Sequence, residues 1–354
     1  MMNKNGSILW VAPILLAVLT LAGCLPIGLR RGPTVSPPVG PRLIAENTLG
    51  LREYWRRSVE CLGTRNLVAA SGRVACVSYR EGPGGTVLVF DAANGSLLWE
   101  AHQEYNAFLV ADAERLYLVQ VYDIYAYAWD GRWLWHTGLF PDKICSVELS
   151  RDRLYVMECI RGWWRKTIDV HTGDILSRES LLRDDGFALF AQYPQFDLYI
   201  QDVPSMGTPW ATLWAVDRTT RQTRWVITGR TLLMPSGPPL LVDNLLLVNV
   251  WREVVALDAS SGQVVWRTYN PAAPKTVLVT EAILMADSLY AVCDDGRLIR
   301  LDVRTGQETG YIQFAPPLSN HNPYGGSNFL GWASDGQMLF VSFEDSQELI
   351  ALGP

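Results

Sequence analysis

The side chains of this chain that could do chemistry are its acidic, histidine and cysteine residues, and their spacing argues against it. The segment "CDDGR" (Cys293 to Arg297) brings two carboxylates together, as an acidic metal site would, but the same residues suit a polar Asp-Gly hairpin turn. The histidines fall in predicted turns or at the ends of predicted outer strands, without a Ser/His/Asp or Cys/His arrangement, and no cysteine spacing matches a zinc site. We therefore predict no catalytic residue, no metal and no cofactor. The histidines are His102, His136, His171 and His321.

A second set of acidic residues recurs along the chain and indicates architecture instead. "VLVFDAANGSLLW" and "VVALDASSGQVVW" share an aspartate, a glycine four residues later and a tryptophan four residues after that. An aspartate can accept hydrogen bonds from its own turn, a glycine supplies the positive φ of a tight turn, and a tryptophan buries a large area against a neighbour. We assign these residues to a structural repeat motif, represented by Asp91, Gly95, Trp99, Trp135, Trp225, Asp258, Gly262 and Trp266.

The period of this motif predicts a β-propeller. The gaps between successive aspartates are 39, 39, 48, 41 and 44 residues, and a period of about 40 to 45 is typical of a four-stranded propeller blade. Each aspartate follows short runs rich in β-branched and aromatic residues, bounded by turn residues. The sequence after residue 50 shows no helical periodicity of useful length. The aspartates of the series are Asp91, Asp130, Asp169, Asp217, Asp258 and Asp302.

The incomplete last repeat predicts how the ring closes. "QMLFVSFEDSQELIALGP" supplies two strands before the chain ends, and "TLGLREYWRRSVE" supplies the missing outer strand, because its Trp55–Arg56 resembles Trp266–Arg267. Donating the first strand to the last blade removes free sheet edges. We predict an all-β fold, a seven-bladed β-propeller of residues 48–354 that forms a monomeric ring. Eight blades is the alternative.

The N-terminus carries a membrane-targeting signal. Lys4 precedes a sixteen-residue apolar run from Ile8 to Gly23, which suits the core of a signal peptide. "LAGC" resembles the bacterial lipobox, which predicts a signal peptide over 1–23 and lipidation of Cys24; an uncleaved membrane helix is the alternative. The Pro/Gly-rich residues 24–47 are predicted to be a tether. Both versions place the ring in the cell envelope, held on the outer face of a bacterial membrane.

The repeat also resembles a known family. "ALDASSGQVVW", "VFDAANGSLLW" and "RLDVRTGQETG" are similar to the pyrroloquinoline-quinone-like repeat of bacterial propellers. Two relatives carry such repeats: the outer-membrane β-barrel assembly lipoprotein and the quinoprotein alcohol dehydrogenase superfamily. The second resemblance implies a disulfide between adjacent cysteines beside a quinone, a carboxylate and an asparagine on Ca²⁺, and a catalytic aspartate. Because this chain has no adjacent cysteine pair, we predict that it binds no quinone.

The cysteines leave the disulfide state open. An exported chain can form disulfides, and an odd number after Cys24 leaves at least one cysteine unpaired. Cys145 and Cys159 flank the predicted turn "SRDR" and are the best pair, although they are one residue out of register. Cys76, Cys159 and Cys293 fall on second strands, where a buried thiol acts as a small hydrophobic residue, and we favour that interpretation. The five are Cys61, Cys76, Cys145, Cys159 and Cys293.

Loop length distinguishes the two faces of the predicted ring. Turns within strand pairs one–two and three–four are short, whereas the opposite connections are longer and rich in aromatic residues and prolines. Binding sites tend to occupy such loops on a rigid scaffold, and exposed aromatic residues anchor interfaces or stack on sugars. The alternative is that these aromatic residues pack the loops onto the ring. The candidate binding residues are Trp163, Trp164, Trp210, His321, Asn322 and Tyr324.

These observations favour a binding or scaffold lipoprotein that presents its loops to a protein or glycan partner. The net charge is −6, and without a dense Lys/Arg stripe nucleic acid is not expected as a partner. A quinoprotein-type or carbohydrate-active propeller enzyme is one alternative. An assembly factor for outer-membrane proteins is another.

Overall fold

The computed structural model describes most of the chain from residue 43 onward, and its regular elements are strands. None of the described residues belongs to a helix that is long and apolar enough to cross a membrane. The described residues are 43–59, 61, 66–78, 85–103, 108–138, 143–150, 152–158, 164–180, 188–202, 211–228, 239–250, 253–268, 282–285, 287–293, 297–315, 330–343 and 347–354.

The strands form seven antiparallel sheets, and the prediction of a seven-bladed propeller is confirmed. Each blade is described from its innermost strand outward. The two N-terminal strands are β1 (Leu43–Asn47) and β2 (Arg52–Ser58). Blade 1 contains β3 (Leu67–Ala70), β4 (Arg73–Ser78), β5 (Gly85–Asp91) and β6 (Leu97–Gln103). Blade 2 contains β7 (Phe108–Ala111), β8 (Arg115–Val119), β9 (Asp123–Ala128) and β10 (Trp133–Gly138).

The remaining blades repeat this order. Blade 3 contains β11 (Ile144–Ser150), β12 (Arg153–Glu158), β13 (Trp164–Asp169) and β14 (Ile175–Ser180). Blade 4 contains β15 (Ala188–Gln192), β16 (Phe196–Asp202), β17 (Ala211–Asp217) and β18 (Thr223–Ile227). Blade 5 contains β19 (Leu240–Val242), β20 (Leu245–Val250), β21 (Glu253–Asp258) and β22 (Val264–Arg267). Blade 6 contains β23 (Ile283–Met285), β24 (Ser288–Val292), β25 (Arg297–Asp302) and β26 (Glu308–Ala315). Blade 7 contains β27 (Leu330–Ser334), β28 (Leu339–Phe343) and β29 (Glu348–Gly353).

The N-terminal strand closes the ring, as predicted. β2 pairs antiparallel with β29 and completes blade 7 as its outer strand. The likeness between the two Trp-Arg dipeptides extends to their partners, because Arg56 pairs with Glu348 and Arg267 pairs with Glu253 in corresponding positions. Both glutamates begin the third strand of their blade, so the same charged pair ties the outer strand to the third strand in blades 5 and 7.

The structure adds one strand that the sequence did not predict. β1, which covers the last five residues of the predicted tether, pairs antiparallel with β26 and makes blade 6 five-stranded. The chain then crosses to blade 7 through a turn in which the Asn47 side chain accepts hydrogen bonds from the amides of Leu49 and Gly50. Gly310, which stands at the tryptophan position of blade 6, lies against this crossing: a Cβ there would be 2.7 Å from Leu49 Cδ2. The crossing chain therefore occupies the space that a tryptophan fills elsewhere.

A disulfide lies near the ring closure, and the expectation that Cys76 is a free thiol was wrong. Cys61 follows β2, Cys76 lies in β4, and the two are bonded across a Cα–Cα distance of 5.5 Å. Both sulfurs are buried among apolar residues of blades 7 and 1. Cys293 is buried in blade 6, Cys145 lies in β11, and Cys159 falls outside the described residues.

Candidate functional site

The candidate recognition residues are only partly described. Trp164 is the first residue of β13 and lies opposite Glu158, at the loop end of blade 3. Its ring is half-buried, with the Arg178 guanidinium carbon 4.6 Å from the ring centroid, which is a cation–π contact. The other five, Trp163, Trp210, His321, Asn322 and Tyr324, lie outside the described residues.

A charged cluster that the sequence did not predict lies beneath Trp164. Glu158 is fully buried and pairs with Lys166 Nζ at 2.5 Å and with Arg178 Nη2 at 3.1 Å. A buried carboxylate is tolerated when such partners satisfy it, and removing one partner would leave an uncompensated charge. The cluster fixes Arg178, and Arg178 in turn fixes the Trp164 ring. One signal was present in the sequence: Glu158 ends a strand, Arg153–Glu158, that is otherwise apolar on the same face.

The repeated aspartates serve their own turns. In each of five turns, one carboxylate oxygen of the aspartate accepts hydrogen bonds from the backbone amides two and three residues later. Asp258, for example, accepts from Ser260 at 3.0 Å and from Ser261 at 2.8 Å. The Ser260 hydroxyl is the main cause that lowers the pKa of Asp258, and the Thr305 hydroxyl does the same for the pKa of Asp302. The lowered pKa keeps Asp258 and Asp302 ionised at neutral pH, so these two carboxylates suit turn closure and not proton donation. The five are Asp91, Asp169, Asp217, Asp258 and Asp302.

The tryptophans of the repeat dock onto the next blade. Trp225 of blade 4 donates its indole N–H to the carbonyl of Ala259 at 2.9 Å, and its ring covers Gly262 of blade 5. Gly262 has a φ of +72°, and a Cβ there would be 2.7 Å from the ring. The glycine is therefore needed both for the turn and for the docked ring. The same donor–carbonyl pair recurs in Trp55–Ala92, Trp99–Trp129, Trp135–Val170 and Trp266–Val303.

These residues do not fit a quinone site. The disulfide joins cysteines fifteen residues apart and not adjacent ones, and the recurring carboxylates are held by their own turns. Within the ranges that the structure covers, no group of three or more His, Cys, Asp or Glu side chains is placed to hold a metal ion.

The fold and the docking motif together define a β-propeller of pyrroloquinoline-quinone-like repeats, and sequence comparison specifies the family. The family model described as "Outer membrane protein assembly factor BamB" matches residues 83–352. The chain therefore belongs to this family.

Individual relatives are distant. The quinohemoprotein alcohol dehydrogenase ADH IIB of Pseudomonas putida is 30% identical over 125 residues, which are 30% of this chain and 18% of that enzyme. The chain thus spans less than a fifth of the curated relative that it matches.

Solved structures support the fold alone. BamB from Moraxella catarrhalis matches with a TM-score of 0.50 and 13% identity, over 90% of this chain and 95% of that chain. The β-propeller domain of Cps50 (Swd1) from Myceliophteria thermophila matches with a TM-score of 0.59 and 13% identity, over 89% and 100% of the two chains.

Proposed function

We propose that this protein is a non-catalytic scaffold of the cell envelope that presents its propeller loops to a protein partner. The observation that carries the proposal is the family match over residues 83–352, whose description is that of an outer-membrane protein assembly factor. That description favours a protein over a glycan as the partner, and assembly of membrane proteins as the process. The arrangement of the repeat motif agrees with this role, because its acidic and aromatic side chains hold turns and blades together.

The disulfide supports an extracytoplasmic location. Structural disulfides persist in oxidising compartments and are rare in the bacterial cytosol. The Cys61–Cys76 bond ties the segment that follows the closing strand to blade 1. The bond therefore agrees with the export that the N-terminal targeting signal predicts.

We expect Cys24 to carry the membrane anchor. A Cys24→Ser variant should move from the membrane fraction to the soluble envelope fraction and lose incorporation of an alkyne-labelled palmitate, because an acyl chain gains about 0.8 kcal/mol per buried CH₂. Fractionation and in-gel detection of the label measure both effects. A Thr34→Ser variant in the same spacer should behave as the parent protein. Retention of unlabelled Cys24→Ser in membranes would instead support an uncleaved helix.

We expect Trp163, Trp164 and Trp210 to carry partner binding. Replacing Trp163, Trp164 and Trp210 together by alanine should weaken crosslinking to the envelope partner by about tenfold or more, since buried aromatic anchors dominate interfaces. The melting temperature should change by only a few degrees. The matched control is Trp133→Ala, because Trp133 is 59% exposed on the outer strand of blade 2. A large loss of stability without a selective binding defect would mean that the three residues only pack loops.

The competing class is an enzyme. The partial match to a quinohemoprotein dehydrogenase is the observation that keeps this class open. Saturable binding of quinone in the presence of Ca²⁺, together with dye-linked alcohol oxidation by the same preparation, would contradict the scaffold proposal.

A further inference from the structure

The side of blade 3 that faces blade 4 differs from the corresponding sides of its neighbours. In each blade, four residues paired across the four strands form a row that points toward the next blade. In blades 1, 2, 4, 5 and 7 this row ends at the docking tryptophan. In blade 4 this row is Ala191, Leu198, Ala215 and Trp225. In blade 3 the same row is Glu148, Tyr155, Thr167 and Ser177. Blade 3 therefore has polar residues where blade 4 has an apolar row and a tryptophan. Blade 6 also lacks the tryptophan and carries Arg300 in this row, but there the crossing chain at Leu49 packs against Gly310.

Blade 4 shows a matching change on its side of the same seam. Asp197 and Tyr199 of β16 pair with Val216 and Trp214 of β17 and face blade 3. The corresponding residues of blade 5, which face blade 4, are all apolar and fully buried: Leu246, Val248, Val255 and Leu257. The seam between blades 3 and 4 thus has polar residues on both of its sides.

The tryptophan and the glycine that it covers are lost together at this seam. Ser177 stands at the tryptophan position of blade 3, and Arg221 stands at the glycine position of blade 4 with a φ of +58°. In the blades that keep the motif, a Cβ at the glycine position would lie 2.5–3.0 Å from the docked ring, so the Arg221 side chain excludes a tryptophan docked in the same way. Arg221 instead bonds Asp197 at 2.8 Å and the Tyr199 hydroxyl at 3.3 Å within blade 4.

The contacts that remain across the seam are polar and partly open to water. Arg165 of β13 reaches across to Gln192 of β15 with an Nη1–Oε1 distance of 3.0 Å. Arg165 also pairs with Glu179 on its own blade. Along β12, the side chains that point to blade 2 are buried, whereas Arg153, Tyr155 and Met157, which point to blade 4, are only half-buried. Tyr155 marks the difference, because its counterparts in the other six blades are all buried: Ala75, Tyr117, Leu198, Leu247, Tyr290 and Phe340.

Apolar clusters show the same contrast. Among the described residues, buried apolar clusters join blades 1–2, 2–3, 4–5, 5–6, 6–7 and 7–1, and none joins blade 3 to blade 4. Partly exposed polar pairs contribute little to stability because water competes for them, whereas burial of apolar surface is the dominant favourable contribution.

We propose that the ring has one opening point, the seam between blades 3 and 4. Blades 3 and 4 separate there more often than any other neighbours, while the six apolar seams stay shut and hold the rest of the ring together. Local opening of this kind has its own free energy below that of global unfolding, and it exposes residues that are buried in the closed ring.

Opening of the seam can be measured with cysteines introduced at positions that are buried in the closed ring. We would replace Val216, which is 1% exposed and faces blade 3, and in a separate variant Val255, which is 0% exposed and faces blade 4, by cysteine. Both changes are small and both positions lie on third strands. In the native full chain, without reductant, a thiol reagent should modify Val216→Cys at least about tenfold faster than Val255→Cys, because the first seam opens without unfolding. Peptide mass spectrometry reads each engineered site apart from the natural cysteines.

Restoring the missing pair should close the seam. Ser177→Trp combined with Arg221→Gly supplies both halves of the docking motif, and it should slow labelling of Val216→Cys by about tenfold while leaving Val255→Cys unchanged. Equal labelling rates at the two sites in the parent background would overturn the proposal, whether or not the restored pair folds. Equal slowing of both sites by the restored pair would also overturn it, because that result reports global stability and not one seam.

Discussion

Removing residues 1–58 is expected to abolish the folded monomer, whereas removing residues 1–42 is expected to leave the ring intact. The longer deletion removes β2, and with it Trp55. The Trp55 indole N–H donates to the carbonyl of Ala92 in blade 1 at 2.7 Å, and its ring centroid lies 5.9 Å from that of Phe340. Loss of one buried tryptophan costs about 3–5 kcal/mol, against a total stability of about 5–15 kcal/mol for a typical domain. Loss of the whole strand should exceed what the ring can tolerate.

The consequence for blade 7 is an exposed edge. All six residues of β29 are buried, and β2 pairs along its outer edge. The deletion therefore leaves a mostly apolar strand with unpaired backbone groups that invite association with other chains. Size-exclusion chromatography and thermal unfolding would compare the two deletions. A deletion of residues 1–49, which removes β1 but keeps β2, separates the two strands. A monomeric, cooperatively unfolding chain without residues 1–58 would contradict closure by β2.

Gly262→Ala is expected to destabilise the ring by about 2–5 kcal/mol, and Gly72→Ala by only about 1–2 kcal/mol. The two glycines have nearly the same backbone conformation, with φ of +72° and +69°. A Cβ at Gly262 would be 2.7 Å from the Trp225 ring, whereas nothing lies within 4 Å of a Cβ at Gly72. The shared cost is that of a left-handed backbone for a residue with a Cβ, and the difference is the clash with the docked ring.

Chemical denaturation of both variants measures this difference. Gly262→Ala combined with Trp225→Ser tests its cause, because the clash disappears when the ring is absent and the two changes should be non-additive. Equal destabilisation by Gly262→Ala and Gly72→Ala would show that the tryptophan does not press on the turn.

The blades could be predicted because their signals are local. Asp258, Gly262 and Trp266 lie within nine residues, and each does in the structure what its chemistry favours at that spacing. Ring closure could be predicted in a similar way. The last repeat lacks its outer strand, and the Trp-Arg dipeptide at Trp55 identifies the N-terminal segment as that strand.

Features that depend on distant pairing could not be predicted. β1 is a five-residue segment, "LIAEN", without a clear alternation, and its partner β26 lies more than 260 residues away. The Cys61–Cys76 bond depends on how the ring closure folds back on blade 1, and connectivity cannot be deduced from sequence. The departures at Ser177 and Arg221 were visible separately, but only the packing of blade 3 on blade 4 makes them one feature.

The candidate recognition surface stands between these cases. Trp164 was identified from its loop, and the structure places it at the loop end of blade 3 over Arg178. The buried partners that hold it there, Glu158 and Lys166, lie on two strands and meet only in the folded blade. Sequence patterns can identify an aromatic residue in a loop, but not the charged support beneath it.

The strand β1 determines how the ring would respond to a force applied at its N-terminal side. A force applied ahead of Leu43 would first load the hydrogen bonds between β1 and β26. Only after those bonds have broken can tension reach β2 and the joint between the two chain ends. Pairing of β1 with blade 6 would therefore protect the closure between β2 and β29 from a force applied at the N-terminal side of the ring.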